Sequence, residues 1–234
     1  MRFHFHISDR QARNFLVVAI VIEICLVAAF LTDGMLGHPD PIVHKLFNLD
    51  GERNIPALFS SAQLFMLGIV FFSVAYQLRQ KHFSSPLFFA VLGAAFIFLS
   101  FDEALSIHEG ITSSLEHVEW IPRFKGNHGI WVAPYLLVGL VFFVSTLREF
   151  LKVWNQHRRE SIIMASGCVI FLVGAVGLEV LSYQLLREGS STRFLYQLEV
   201  AVEEFLEMMG ISIILYGAIM LNVELIPRAG PNAD

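Results

Sequence analysis

Acidic side chains stand at unusual places in this chain. Asp102, Glu103, Glu109, Glu179, Glu203, Glu204 and Glu207 lie in or at the ends of long apolar segments, and Glu52 lies just before one. An ionisable group at membrane depth is expensive to hold, so a set of them points to function. Carboxylates with one or two imidazoles suit zinc, iron or manganese, whereas all-oxygen sites suit calcium or magnesium. The imidazole best placed to join them is His108, beside Glu109 and six residues from Asp102. The candidate metal ligands are therefore Glu52, Asp102, Glu103, His108, Glu109, Glu179, Glu203, Glu204 and Glu207. One carboxylate would serve as general base on a metal-bound water. The paired Glu-x-x-His of four-helix di-iron proteins is absent; Glu204-x-x-Glu207 comes nearest.

The elements that position these groups follow from hydropathy. The chain has 234 residues, 55% of them hydrophobic and only 16% charged, against roughly 25% charged in soluble domains. About 20 apolar residues are needed for a helix to cross the hydrocarbon core. Six segments qualify: 14–32, 55–78, 86–107, 130–147, 161–186 and 195–222. The expected fold is an all-α, polytopic bundle of six transmembrane helices in one domain covering residues 1–234, with no separate soluble part. The first segment lacks a small-residue cleavage site and reads as a retained span. Asn54 followed by Pro56 marks a helix start, with Asn54 as N-cap.

Orientation comes from Lys/Arg bias. Ten of the 16 basic residues fall on the side of the N-terminal arm and the even-numbered gaps, and six on the other. Both termini are therefore expected to be cytoplasmic, in a bacterial inner (plasma) membrane, with the site facing the periplasm or exterior. The acids do the reverse. Five share the basic side, Glu23 is mid-span, and fifteen of 21 lie on the opposite face. The positive-inside rule concerns Lys/Arg and predicts no such acid bias.

Each odd-to-even hairpin delivers a span end to that outer face. At 1.5 Å per residue, Asp102 lies ~24 Å and Glu179 ~27 Å from the inner starts of their spans, and Glu207 ~18 Å inward from an outer start. Asp102, Ser106 and Glu109 are spaced to share one helical stripe, and Glu199, Glu203 and Glu207 another. Glu179, Ser182 and Tyr183 make a third, and His128 opens the fourth span. Facing lipid would be costly, so the stripes are expected to face each other. The purely structural alternative has the acids capping helix N-termini and balancing arginines such as Arg53 and Arg187. Glu199 and Glu203, in the first turns of the sixth span, suit it. Glu23, alone between Ile22 and Ile24, is expected to be protonated or paired with a polar group of a neighbouring span.

The remaining features read as packing. Cys25 and Cys168 fall inside apolar segments as small hydrophobes, and Gly210 and Gly217 as close helix contacts. No span contains a lysine, which excludes a retinal Schiff base. Nothing points to nucleic acid. The expected partners are the lipid bilayer and either another membrane protein or a second copy of this chain.

Four motifs carry a resemblance. They are Gly51-Glu52-Arg53-Asn54-Ile55-Pro56 with Phe59-Ser60-Ser61; Ser100 through Glu109, which reads SFDEALSIHE; Gly177-Leu178-Glu179; and Glu203-Glu204-x-x-Glu207-Met208-x-Gly210. Together they resemble a widespread family of bacterial six-span membrane proteins of unassigned function. More distantly, Glu52, Asn54, Ser60 and Asp102-Glu103 resemble the alkaline ceramidase-like membrane hydrolases, which use such residues with several histidines to hold zinc. The chain departs from that pattern in its last span, where Glu203, Glu204 and Glu207 replace paired histidines. The expected function is a metal-dependent membrane enzyme acting on a lipid or apolar substrate, with a hydrolase as the reaction class that the second resemblance implies. The rivals are a non-catalytic accessory subunit of a membrane complex and a proton- or cation-coupled transporter, although no inverted repeat is visible.

Overall fold

The computed structural model describes residues 8–80, 86–123, 129–181 and 193–226, and all described secondary structure is helical. The side chains of Glu179 and Arg193 fall outside it. The helices are α1 (Asp9–Met35), α2 (Pro41–Phe47), α3 (Ile55–Gln80), α4 (Pro86–Leu105), α5 (Ile107–Leu115), α6 (Val132–Gln156), α7 (Arg158–Leu172), α8 (Glu179–Leu181) and α9 (Arg193–Leu225). A π-helical turn, Val173–Leu178, joins α7 to α8.

Local chemistry sets several starts. Ser8 and Gln11 form a capping box before α1. Asp40 accepts from the amides of Ile42 and Val43 ahead of Pro41, opening α2. The Asn54 side chain accepts from Ala57 N at 3.0 Å, so it caps α3 as its sequence context predicts.

Five helices are long and apolar enough to cross a membrane by length and composition: α1, α3, α4, α7 with its π turn, and α9. The chain thus reads as a multi-pass membrane protein. The segment 130–147, expected as a further span, enters the 25-residue α6. The long helices run alternately up and down. Glu23 meets Ser212 and Gly34 meets Gln197, Ser61 meets Ser100 and Gly68 meets Gly93, and Gly167 meets Gly210 and Gly174 meets Glu207, so α1/α9, α3/α4 and α7/α9 are antiparallel pairs. Phe88 stacks on Phe142 and Phe98 lies by Tyr135, which makes α6 antiparallel to α4. The C-terminal ends of α1 and α4 and the N-terminal ends of α3, α6 and α9 therefore share one end of the bundle.

α9 is the axis. It packs against α1, α3 and α7, and Met208, Ile211, Leu215, Ala218 and Leu221 along it are almost wholly buried. Small residues let its neighbours approach. A Cβ on Gly210 would lie 2.6 Å from Phe171 N, so only glycine permits this α7–α9 contact. Gly68 and Gly93 do the same between α3 and α4. Polar side chains clasp the helices as well. Ser61 Oγ donates to Ser100 O at 2.9 Å while Ser100 Oγ donates to Ser61 O at 2.8 Å.

α6 stands apart. Among its described residues only Val132 and Val153 are buried, and its principal contacts are with α7 and α4. Leu137, Val138, Val141 and Val144 are exposed on it, away from the other helices. Exposed apolar surface on this scale is the mark of a lipid-facing helix. Cys25 and Cys168, expected as buried small hydrophobes, are free and exposed instead. Cys168 sits on the wall of an internal cavity.

Two expectations change. The third segment does not run on to Ile107. Ser106 adopts a left-handed conformation (φ 55°), α4 ends at Leu105, and the chain restarts as α5. No single stripe can then carry Asp102, Ser106 and Glu109. In addition, α9 begins at Arg193, so Glu199 and Glu203 lie beyond its first turn and cannot act as N-terminal capping acids.

Candidate functional site: a carboxylate-headed cavity

A cavity of about 1240 Å³ fills the space between α6 and the α3–α4–α7–α9 core. It is larger than the roughly 300–1,000 Å³ that holds a drug-sized ligand. Its length follows from α4, which lines it from Asp102 back to Phe88, a rise of about 21 Å. Most of that length is apolar: Leu64 and Phe71 of α3, Phe89, Leu92, Phe96 and Leu99 of α4, Leu136, Leu140 and Phe143 of α6, and Ile211 and Ile214 of α9. One end is different. Asp50, Glu52, Asp102, Glu103, Glu109, Glu116, Glu203, Glu204 and Glu207 line it there, with His108. Among the described residues no lysine or arginine lines it.

The break at Ser106 builds the heart of this end. By turning the chain it folds α5 back so that His108 N donates to Asp102 Oδ1 at 2.7 Å. Asp102 thus satisfies a donor at the start of α5, where the helix dipole favours an anion. His108 Nδ1 lies 3.3 Å from the same oxygen, and His108 Nε2 lies 3.7 Å from Glu52 Oε1. The imidazole is therefore strung between two carboxylates. Burial disfavours its charged form, but the Asp102 hydrogen bond and the charges of Asp102, Glu52 and Glu103 outweigh this and raise its pKa. Burial raises the Glu52 pKa too, against the pull of His108 and the Ser106 hydroxyl and with help from Glu109 and Asp102. The ring of Trp131, 5.4 Å from that of His108, covers it from α6, and Tyr135 stands edge-on to Trp131.

Glu103 is hydrogen-bonded by Ser60 and feels the charges of Glu52, Asp102 and His108. Glu204 feels those of Glu207, Glu103, Glu52 and Asp50. Carboxylates from α3's approach, α4 and α9 thus line one cavity. Glu109 is exposed at its mouth. The side chain of Glu179, and all of Ser182, Tyr183, His128 and Arg187, lie outside the described residues. Behind Glu203 and Glu207 sits the π turn. A Cβ on Gly174 would come 2.9 Å from Glu207 Cγ and 3.0 Å from Glu203 O, so the turn presses directly on the acidic stretch of α9. Such π segments concentrate at functional sites.

Glu52 Oε2 is buried with no hydrogen-bond partner among the described residues. Yet the acids ring the cavity rather than meet at a point. Among the described residues, the trios of metal-ligating atoms within 4.8 Å of one another lie elsewhere, at Asp33–His38–His44 and at His157–Glu160–Glu224. Sequence reasoning singled out neither trio. The signal available for the first was Asp33-x4-His38-x5-His44, hidden in a gap whose glycines and prolines read as turn punctuation.

Glu23 lies apart from the cavity, and its Oε2 is likewise buried without a hydrogen-bond partner among the described residues. It is fully buried, and its Oε1 accepts from Gln63 Nε2 at 2.9 Å and from Ser212 Oγ at 2.6 Å. It is paired with polar groups of two neighbouring helices, as expected, and does not line the cavity.

Residues 15–221 match the family described as Domain of unknown function (DUF8692), and the chain belongs to that family. No curated protein and no solved structure matches it.

Proposed function

We propose that this chain is a membrane enzyme acting on a lipid-like substrate, with the apolar chain in the lumen and the polar end at the carboxylates. One observation carries the reading: a single open-sided cavity has an apolar lining that runs about 21 Å along α4 to an acidic, imidazole-bearing end. An apolar lining of that length fits an acyl or isoprenoid chain. His108, held between Asp102 and Glu52, is the group placed to take or give a proton.

So many acids, with no lysine or arginine among the described lining residues, call for compensation. A divalent cation supplies it, with Glu52, Glu103, Glu204 and Glu207 as the groups that would gather around it. Glu52 Oε2, buried without a partner, supports this. Such a cation would polarise the polar end of the substrate. We further infer that α6 is the sixth crossing. Its alternation with α4 and its exposed apolar face support this. With the Lys/Arg bias, both termini would then lie in the cytoplasm and the acidic end outside.

A coupled transporter would want acids along the crossing. Glu23 is the acid at mid-depth, and its bonds to Gln63 and Ser212 take it out of the lumen. The test is product analysis. Purified protein in nanodiscs, given a membrane lipid extract and zinc, manganese or iron(II), is expected to convert one lipid class. Glu103→Gln and Glu207→Gln are expected to lose both the conversion and the bound cation. Cation content and lipid profile identical in the wild type and both variants would sink this reading.

A further inference from the structure

We propose that Asp33, His38 and His44 form a second metal site, of zinc type, distinct from the carboxylate cavity. Asp33 stands in the last turn of α1, His38 in the connection that follows, and His44 one turn into α2. The chain reverses through two left-handed residues, Gly37 (φ 76°) and His38 (φ 59°). A non-glycine residue there costs on the order of 1 kcal/mol, and here it brings an imidazole onto a carboxylate.

Asp33 Oδ2 lies 2.6 Å from His38 Nδ1 and 2.8 Å from His44 Nδ1, and the ring centroids are 4.0 Å apart. Three ligand atoms therefore converge within 4.8 Å. The carboxylate is buried at 6% exposure, whereas the imidazoles are 20% and 36% exposed. This leaves the trio anchored on one side and open on the other, with an entry path and room for a fourth, solvent ligand.

Two imidazoles and one carboxylate, with an open position, form a donor set that zinc takes up readily. The present N–O spacings are those of two rings hydrogen-bonded through Nδ1 to one carboxylate oxygen. With metal–ligand bonds of roughly 2.0–2.2 Å, each spacing would widen by about half an ångström. Each ring would bind through Nδ1 and carry its proton on Nε2, so neutral rings release no net proton.

None of the three residues lines the cavity. They are nevertheless tied to it. The chain leaving α2 forms the strap Leu49–Glu52, which lines the acidic end, and Tyr196 of α9 donates to Asp50 on that strap at 2.8 Å. A metal joining α1 to α2 would fix where the strap starts, and so hold Asp50 and Glu52 at the rim.

The experiment uses full-length protein in nanodiscs, stripped with a chelator and titrated with zinc and with cobalt(II) as a spectroscopic probe. Thermal unfolding of each metal-free protein checks the fold. Wild type is expected to bind one equivalent at this site, with a ligand-field spectrum of nitrogen–oxygen coordination. His38→Ala, His44→Ala and the milder His44→Gln are expected to weaken that binding by about 100-fold or more, beyond the 10–100-fold typical of losing an outer-shell partner. Glu103→Gln is expected to leave it intact. Unchanged stoichiometry and spectrum in folded His44→Ala and His44→Gln would overturn the site. So would binding lost in Glu103→Gln but kept in the histidine variants, a result that leaves the cavity reading standing.

Discussion

Glu23 and the cluster around Glu103 are both acids held inside an apolar bundle, and the two places treat them in opposite ways. Glu23 is met by donors from two helices, Gln63 and Ser212, which also bond to each other at 2.7 Å, and it has no share in the cavity. Glu103 and Glu204 lie on the wall of a large cavity and feel the charges of several other acids, Glu52 among them. Burial alone is therefore no sign of function. What separates the two is the presence of neighbouring acids around Glu103 and Glu204, together with access to a cavity. A group supplied with donors stabilises the fold; a group surrounded by its own kind is held for something that arrives.

The sharpest way to break this comparison is to delete each acid. Glu23→Ala removes the acceptor shared by Gln63 and Ser212 and leaves a hole in a packed core. It is expected to destabilise by about 2 kcal/mol, measured by thermal or denaturant unfolding, with cation and lipid binding unchanged. Glu103→Gln and Glu207→Gln are expected to act in the reverse sense. Relieving repulsion at the cavity should stabilise the protein by about 1 kcal/mol while binding is lost, the usual trade at a functional site. Equal destabilisation at both places would erase the distinction.

A smaller effect concerns pH. The raised pKa of His108 means that the folded state holds this proton more tightly than the unfolded chain does. Its stabilisation is complete below about 6.5, the ordinary value, and is lost as pH climbs through the raised one. The raised pKa of Glu52 means that its ionisation, beginning near the ordinary 4.5, also opposes folding as pH rises. Both slopes have the same sign, so the unfolding temperature should fall from acid to neutral and mildly alkaline pH. His108→Asn should flatten the upper part of that fall. A rise with pH would contradict the placement of His108 between its two carboxylates.

Much of this was legible in the sequence, for physical reasons. Apolar runs marked every long helix, and the parity of the crossings brought Glu52, Asp102, Glu103, Glu203, Glu204 and Glu207 to one end. The Asn54 cap was readable because its side chain answers a local need of α3. Ser106 was not readable. Nothing about an ordinary serine announces a left-handed break, yet that break replaces a helical stripe with the fold-back of His108 onto Asp102. The cavity was hidden too. It exists because α6 stands off from α3 and α9, and an apolar helix face looks the same in sequence whether it meets lipid, a neighbour or a lumen. Asp33, His38 and His44 were missed because their pairing depends on how tightly the α1–α2 connection turns.

The most direct test of the cavity's role is to fill it. Gly139 of α6 lines the lumen, and a Cβ added there meets nothing within 4 Å. Gly139→Trp would place an indole against the apolar lining without touching the acidic end or the bundle core. Native mass spectrometry of the protein released from nanodiscs should find a lipid retained by the wild type and lost from Gly139→Trp, with unfolding temperatures alike. The same lipid retained equally by both proteins would contradict the account.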